Sequence, residues 1–254
     1  MANSKSWNKI FRDYKILEHD FDKSPFLLSA SQIKKSVQNF KETTQKEVRI
    51  LCKQDTKESR PQVFKENGLF ILPIRNGFYN IIKGEGYVDI PEIKKETTLY
   101  KSKLDFRLDS SKVGDSEMQH LDYAYALSLI RTFAKDDSLV LTIRGRKYTP
   151  EFDFFVNNQL IKVSSVQTEV DAGYEGKEQI ILVEAKNVAT TNVIIRQLFY
   201  PFRQWQNCTR KKVSTLFFEK ESNEDIYSVW EFRFKDIKNY NSIELVKSEK
   251  FKIN

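Results

Sequence analysis

Three charged side chains sit where packing alone gives no reason for them: Asp171, Glu184 and Lys186. Glu184 and Lys186 close the run Ile180-Ile181-Leu182-Val183-Glu184-Ala185-Lys186. Its four leading apolar residues, three of them β-branched, read as a strand buried on both faces. Side chains alternate along a strand, so Glu184 and Lys186 share one face. Upstream, residues 166–171 alternate as well and put Gln167, Glu169 and Asp171 on one face. With residues 176–179 as the turn, the symmetric register opposes Glu175 to Ile180, Tyr174 to Ile181 and Asp171 to Glu184. A bulge at Gly173 would shift the last pair by one.

Opposed residues on paired strands have Cβ atoms about 5 Å apart, and like charges there repel. Two carboxylates at the end of a buried strand therefore need a compensating positive charge. A divalent cation held by oxygen ligands supplies one, and Lys186 supplies another. Two carboxylates and a lysine around Mg²⁺ can orient and activate a water against a phosphodiester. The plain alternative is a strand end with a surface ion pair, worth about 0–1 kcal/mol. The acid-x-Lys triplet discriminates poorly by itself, because the chain has six, starting at Asp13, Asp55, Glu92, Glu175, Glu184 and Asp236. Only the one at Glu184 ends a continuous apolar strand with an acidic strand just upstream.

Asp171…Glu184-Ala185-Lys186 followed by a helix resembles the PD-(D/E)XK nuclease superfamily. The phrases EVDAGYE, IILVEAKN and RQLFYPFRQW are similar to those of its type II restriction endonucleases. The specific part of the resemblance is residues 166–205, and Val170 stands where the superfamily pattern has proline. The resemblance implies an α/β fold with a mixed sheet, a restriction-endonuclease-like core. It implies Mg²⁺-dependent, sequence-specific hydrolysis of double-stranded DNA, leaving 5′-phosphate and 3′-hydroxyl ends. Asp171 and Glu184 would hold the metal. Lys186 would position or deprotonate the attacking water, or stabilise the developing charge. Cutting both strands with one site per chain implies a homodimer, paired in function with a cognate DNA methyltransferase. In this superfamily a helix before the sheet often donates an acid near the metal. Glu117 is the candidate, although a helix dipole also favours an acid in a first turn. Gln197 and Tyr200 resemble a glutamine and a tyrosine that some members place near the active site. Their spacing is one residue shorter than in the best-known version, and a polar helix face explains them equally well.

The elements that must position these residues can be read along the chain. Residues 1–28 are mostly helical and irregular. Ser29 or Ser31 caps a helix to about Phe40, with Ile33, Val37 and Phe40 on one face. Residues 47–52 suggest a short strand. Asn67-Gly68 and Asn76-Gly77 are hairpin signals within 63–90. Residues 1–100 form an N-terminal helical and β module. It either recognises DNA, through the Ile33 helix or through hairpins bearing Arg75 and Lys83, or serves as a scaffold. Residues 101–254 form the expected catalytic core. There, a helix runs from Ser116 to about Ala134, with Leu121, Tyr125, Leu129 and Ile130 on its core face. Residues 139–143 are the first core strand, leading into a basic turn Arg144-Gly145-Arg146-Lys147. A hairpin turns at Asn157-Asn158. Thr190 or Thr191 caps a helix with Ile194, Leu198, Phe202 and Trp205 towards the sheet, and Pro201 should kink or divide it. Residues 213–218 and 226–234 close the sheet, with Ile243, Leu245 and Val246 on an edge strand.

Net charge is +7, which suits a polyanionic partner. Residues 187–212 hold no acid but five basic residues, including Arg196 and Arg203. With Arg144, Arg146 and Lys147 these two are the expected DNA contacts; a solvated basic face is the alternative. The two cysteines and two histidines make no zinc pattern. With neither a signal-peptide core nor a membrane-length apolar run, a cytoplasmic protein is expected. Two rival functions stay open: a structure-selective repair or recombination nuclease of the same fold, and a non-catalytic DNA-binding regulator.

Overall fold

The computed structural model describes residues 2–187, 189–221 and 225–253, and it is a mixed α+β structure. Helix α1 (Ala2–Asp13) buries Trp7, Ile10 and Phe11. Strand β1 (Phe26–Ser29) runs straight into α2 (Ala30–Val37). Ser29 makes the transition sharp. Its hydroxyl accepts from the Gln32 amide, and the Gln32 side chain accepts from the Ser29 amide, satisfying two donors the first turn leaves free. Two short helices follow, α3 (Thr43–Lys46) and α4 (Val48–Leu51). The strand expected at 47–52 is thus a helical turn, because Val48 and Leu51, three apart, are the two positions buried. Helix α5 (Gln62–Glu66) leads to β2 (Leu69–Arg75) and β3 (Phe78–Lys83). Gly77, at φ 74°, turns that hairpin, while Gly68 ends α5 instead of making a second one. β1, β3 and β2 form a three-stranded sheet.

The remaining elements are β4 (Tyr87–Asp89), β5 (Thr98–Tyr100), α6 (Glu117–Ala126), α7 (Leu129–Ala134), β6 (Val140–Tyr148), β7 (Phe152–Val156) and β8 (Gln159–Val163). Then come β9 (Gln167–Glu175), β10 (Gln179–Lys186), β11 (Asn192–Ile194), α8 (Arg196–Gln206), β12 (Lys212–Lys220), β13 (Ile226–Phe234) and β14 (Ile243–Ile253). The main sheet has seven strands in the order β5-β14-β13-β12-β10-β9-β6. β10 and β12 are parallel, so the chain must cross over between them, and α8 is that crossover.

Both faces of β10 are covered, which is why its sequence is continuously apolar. Ile181, Val183 and Ala185 pack in one cluster with Leu121 and Ala124 of α6 and Leu129 and Phe133 of α7. Ile180 and Leu182 pack on the other side, beside Trp205 of α8. The N-terminal hairpin divides in the same way. Ile71 and Ile81 join the core of α1 and α2, while Phe70, Leu72 and Ile82 join Phe154 and Phe199.

Three expectations change in detail. The helix expected over 116–134 breaks at Ser128, at φ 67°, into α6 and α7. The basic run 144–147 lies inside the edge strand β6, with Gly145 at φ 80°. Thr190 and Thr191 cap no helix. Residues 192–194 instead pair with β4, where Asn192 accepts from the Lys57 amide at 2.6 Å, and α8 starts at Arg196 and continues through Pro201. Among the described strands β14 has an open edge along Ile243, Leu245 and Val246, as expected, and β5 pairs only with its end at Phe251, Lys252 and Ile253. Among the described residues no helix is long and apolar enough to cross a membrane.

Candidate active site

β9 and β10 pair antiparallel as Ile180 to Glu175, Ile181 to Tyr174, Leu182 to Gly173 and Val183 to Ala172. This is the symmetric register, unshifted at Gly173, and the paired ladder ends at Val183 and Ala172, one step before Glu184 and Asp171. The irregularity lies on the other edge of β9. There β6 opposes Ile143 to Gly173 and Gly145 to Val170, so Asp171 and Ala172 stand across from Arg144 alone. A bulge of this kind re-aims a side chain. The Asp171 carboxylate consequently turns towards β10, and its Oδ2 accepts from the Ala185 amide at 2.8 Å. Gly173 makes the bulge feasible, since a Cβ there would lie 2.6 Å from the Ile143 Cβ.

Glu184 is the buried centre of the site, 8% exposed. Lys186 Nζ donates to its Oε1 at 2.5 Å, and Gln197 Nε2, from the first turn of α8, donates to the same oxygen at 2.7 Å. Burial pushes the Glu184 carboxyl up to about 7, with the Asp171 charge adding to the effect and Lys186 opposing it. Burial also raises Asp171, partly offset by the Ala185 amide and Lys186, with Glu117 and Glu169 pushing the same way as burial. Burial draws the Lys186 ammonium down, but Glu184 more than offsets this, so its pKa lies above the ordinary value.

These groups face an open cleft of about 850 Å³. Glu117, in the first turn of α6, lines it together with Asp171, Glu184 and Lys186, and so does Gln197. Ser116 caps that helix by accepting from the Gln119 amide. Among the described residues, no three His, Cys, Asp or Glu side chains form a ready-made metal cluster. The donor set nonetheless fits a hard divalent cation. Two carboxylates meet with too little positive charge, and the buried Oε1 of Gln197 has no partner. All three are oxygen donors, which suit Mg²⁺ better than a thiophilic metal.

The expected DNA contacts separate into two groups. Arg144 forms a two-pronged pair with Asp122, Arg146 meets Glu169 at 3.2 Å, and Lys147 lies 6.0 Å above the Trp205 ring. Arg196 lines the cleft, 3.7 Å from Asp55. Arg203 is not available to a polyanion. It is 5% exposed, donates to the Asp153 and Ile237 carbonyls and lies over the Phe152 ring. Tyr200 is likewise remote from the carboxylates: it is fully buried and donates to the Pro73 carbonyl at 3.0 Å. The opposite wall of the cleft, with Arg49, Lys53, Asp55 and Arg75, comes from the N-terminal part. Of these the sequence drew attention only to Arg75, because no local pattern tells which loop packs across the acids.

A family model matches residues 82–252. The chain belongs to that family, described as a Domain of unknown function (DUF6997). A second model, Domain of unknown function (DUF6996), matches residues 4–81, so the two meet within β3. No curated protein and no solved structure matches the chain.

Proposed function

We propose that the protein is a Mg²⁺-dependent, sequence-specific endonuclease for double-stranded DNA, with a PD-(D/E)XK-like core and the character of a type II restriction enzyme. One observation carries this reading. Asp171 and Glu184 stand side by side on paired strands at a cleft, and Lys186, two residues along the same strand, touches Glu184. The order of elements supports it too: a helix bearing Glu117, antiparallel strands β6, β9 and β10, the α8 crossover, then parallel β12.

Asp171 and Glu184 would hold the Mg²⁺, with the Gln197 carbonyl oxygen and Glu117 close to the same space. When bound, the ion supplies Lewis-acid polarisation of the phosphodiester and a more acidic water. Gln197 fixes one Glu184 oxygen and so fixes the carboxylate plane. Without a metal, Glu184 holds the Lys186 ammonium above its ordinary value against the pull of burial. Beside the metal it would position or deprotonate the attacking water, or stabilise charge developing on the phosphate. The resemblance to PD-(D/E)XK nucleases implies that hydrolysis leaves 5′-phosphate ends. A two-fold dimer would cut both strands of a duplex site, and a cognate methyltransferase would protect the host's own sites.

The test is digestion of unmethylated plasmid and phage DNA with Mg²⁺, beside the Lys186→Ala variant. Discrete fragments from the wild type, absent with the variant, are expected. Intact DNA on every unmodified and methylated duplex overturns the proposal.

A further inference from the structure

The cleft has two unlike walls. The acids lie on the β9–β10 side, while Arg49, Lys53 and Arg75 stand opposite, contributed by α4, the loop after it and the end of β2. Arg49 and Arg75 are exposed, and among the described residues neither has an ion-pair partner. The Arg75 guanidinium rests over the Phe78 ring at 4.1 Å, which holds it extended without neutralising it. The acid on that wall, Asp55, already has Lys53 and Arg196 each at 3.7 Å.

This basic wall is fixed in place. The Gly77 carbonyl, in the turn after Arg75, accepts from the Ala30 amide at 2.8 Å. The Asp55 carbonyl accepts from the Ile194 amide at 2.8 Å, and Asn192 accepts from the Lys57 amide. Loops tied to both α2 and β11 need little rearrangement to bind, which is the condition for spending charge on affinity. The three cations come from separate elements and line one cleft, so they offer several contact points instead of one. A lone small anion would also be repelled by the facing carboxylates. A ligand with repeated negative charges, only one of which need approach the acids, fits both walls.

We propose that this N-terminal wall binds the sugar-phosphate backbone of the nucleic-acid strand flanking the scissile bond, with Arg49, Lys53 and Arg75 as its phosphate contacts. The inference rests on the proposed nuclease reading for the class of ligand. Because these contacts reach phosphates and not base edges, they position the strand without reading its sequence.

The test measures binding without cleavage. Full-length Lys186→Ala protein and the same protein carrying Arg49→Ala and Arg75→Ala are titrated, in chelator, against a fluorescein-labelled duplex and its single strand over a range of salt. The slope of log K against log salt should fall by about 1 for each arginine removed, with affinity lost alike for unrelated sequences. An Arg49→Lys/Arg75→Lys version should keep most of the slope, which separates lost charge from lost fold. Unchanged slope and affinity, no binding to either probe, or a loss confined to one sequence overturns the inference. Plasmid digestion by the wild type is scored separately. If cleavage is absent while the slope falls, the nuclease reading fails and the phosphate wall stands. If cleavage is present while the slope is intact, the reverse holds.

Discussion

Glu184 should make the metal-free protein less stable as pH rises, and Glu184→Gln should remove most of that dependence. Raising a buried carboxyl from 4.5 to about 7 makes its ionised form about 3 kcal/mol less favourable in the folded chain than in the unfolded one. The sign follows from the direction. A carboxyl whose folded pKa is raised contributes stability that is fully present below the unfolded value. That stability is lost as pH rises through the folded value. The window is therefore about pH 4.5 to 8. For a chain of this size about 3 kcal/mol corresponds to a fall in Tm of about 6–12 °C. Asp171, also raised, adds a loss in the same direction in both proteins. The assay is a series of thermal melts in chelator from pH 5 to 9, and slopes are compared, not absolute Tm values. Wild type should lose stability more steeply than Glu184→Gln. Mg²⁺ should restore the wild type at high pH and leave the variant unchanged, since a ligand stabilises only the state that binds it. Parallel curves for the two proteins would refute the claim that this carboxyl carries its charge at a cost.

Asp171→Asn should abolish cleavage of plasmid DNA yet leave duplex binding nearly unchanged by anisotropy, because the carboxylate serves a cation and not the strand; retained cleavage would remove Asp171 from the site. Gln197→Ala should slow cleavage about 10–100-fold, the usual cost of losing a group that orients a metal ligand. Its melting temperature should stay close to wild type, because the side chain carries an unpaired buried oxygen of its own. Arg203→Ala should lose about 3 kcal/mol in urea unfolding, through two carbonyls left unpaired and the emptied space beside Phe152. Arg146→Ala, on exposed β6, should stay within about 0.5 kcal/mol.

How much of this was legible in the sequence depended on whether the controlling interaction was local. The run 180–183 announced a doubly covered strand, and the turn after Glu175 set its register, so the pairing as far as Val183 and Ala172, one step short of the two acids, could be read directly. Ser29 and Gln32 gave the start of α2 in the same way. The errors arose where distant partners decided. Residues 192–194 became a strand because β4, a hundred residues earlier in the chain, offered backbone partners. Arg203 and Tyr200 shared a helical stripe with Arg196, but a helix set between a sheet and the β7–β8 hairpin has no free side there. Both are accordingly buried, against carbonyls of other segments. Of the basic wall the sequence marked only Arg75, on a hairpin; Arg49 and Lys53 join it only through packing across the cleft.

The bulge in β9 joins these two kinds of information. In a regular strand Asp171 would stand out from the sheet, directly opposite Glu184, and the two charges would simply repel. With Asp171 and Ala172 both across from Arg144, the aspartate instead accepts from the Ala185 amide. Lys186 and Gln197 then occupy one oxygen of Glu184, Oε1, and no described donor meets Oε2. The sheet thus orients both carboxylates while only Lys186, on Glu184, supplies a paired positive charge. A pair needed only for stability gains nothing from that division, because its charge remains uncompensated in a buried place. A pair meant to receive a cation gains a fixed geometry and a free oxygen. That difference, more than the acid-x-Lys spacing, separates Glu184 from the other five triplets in the chain.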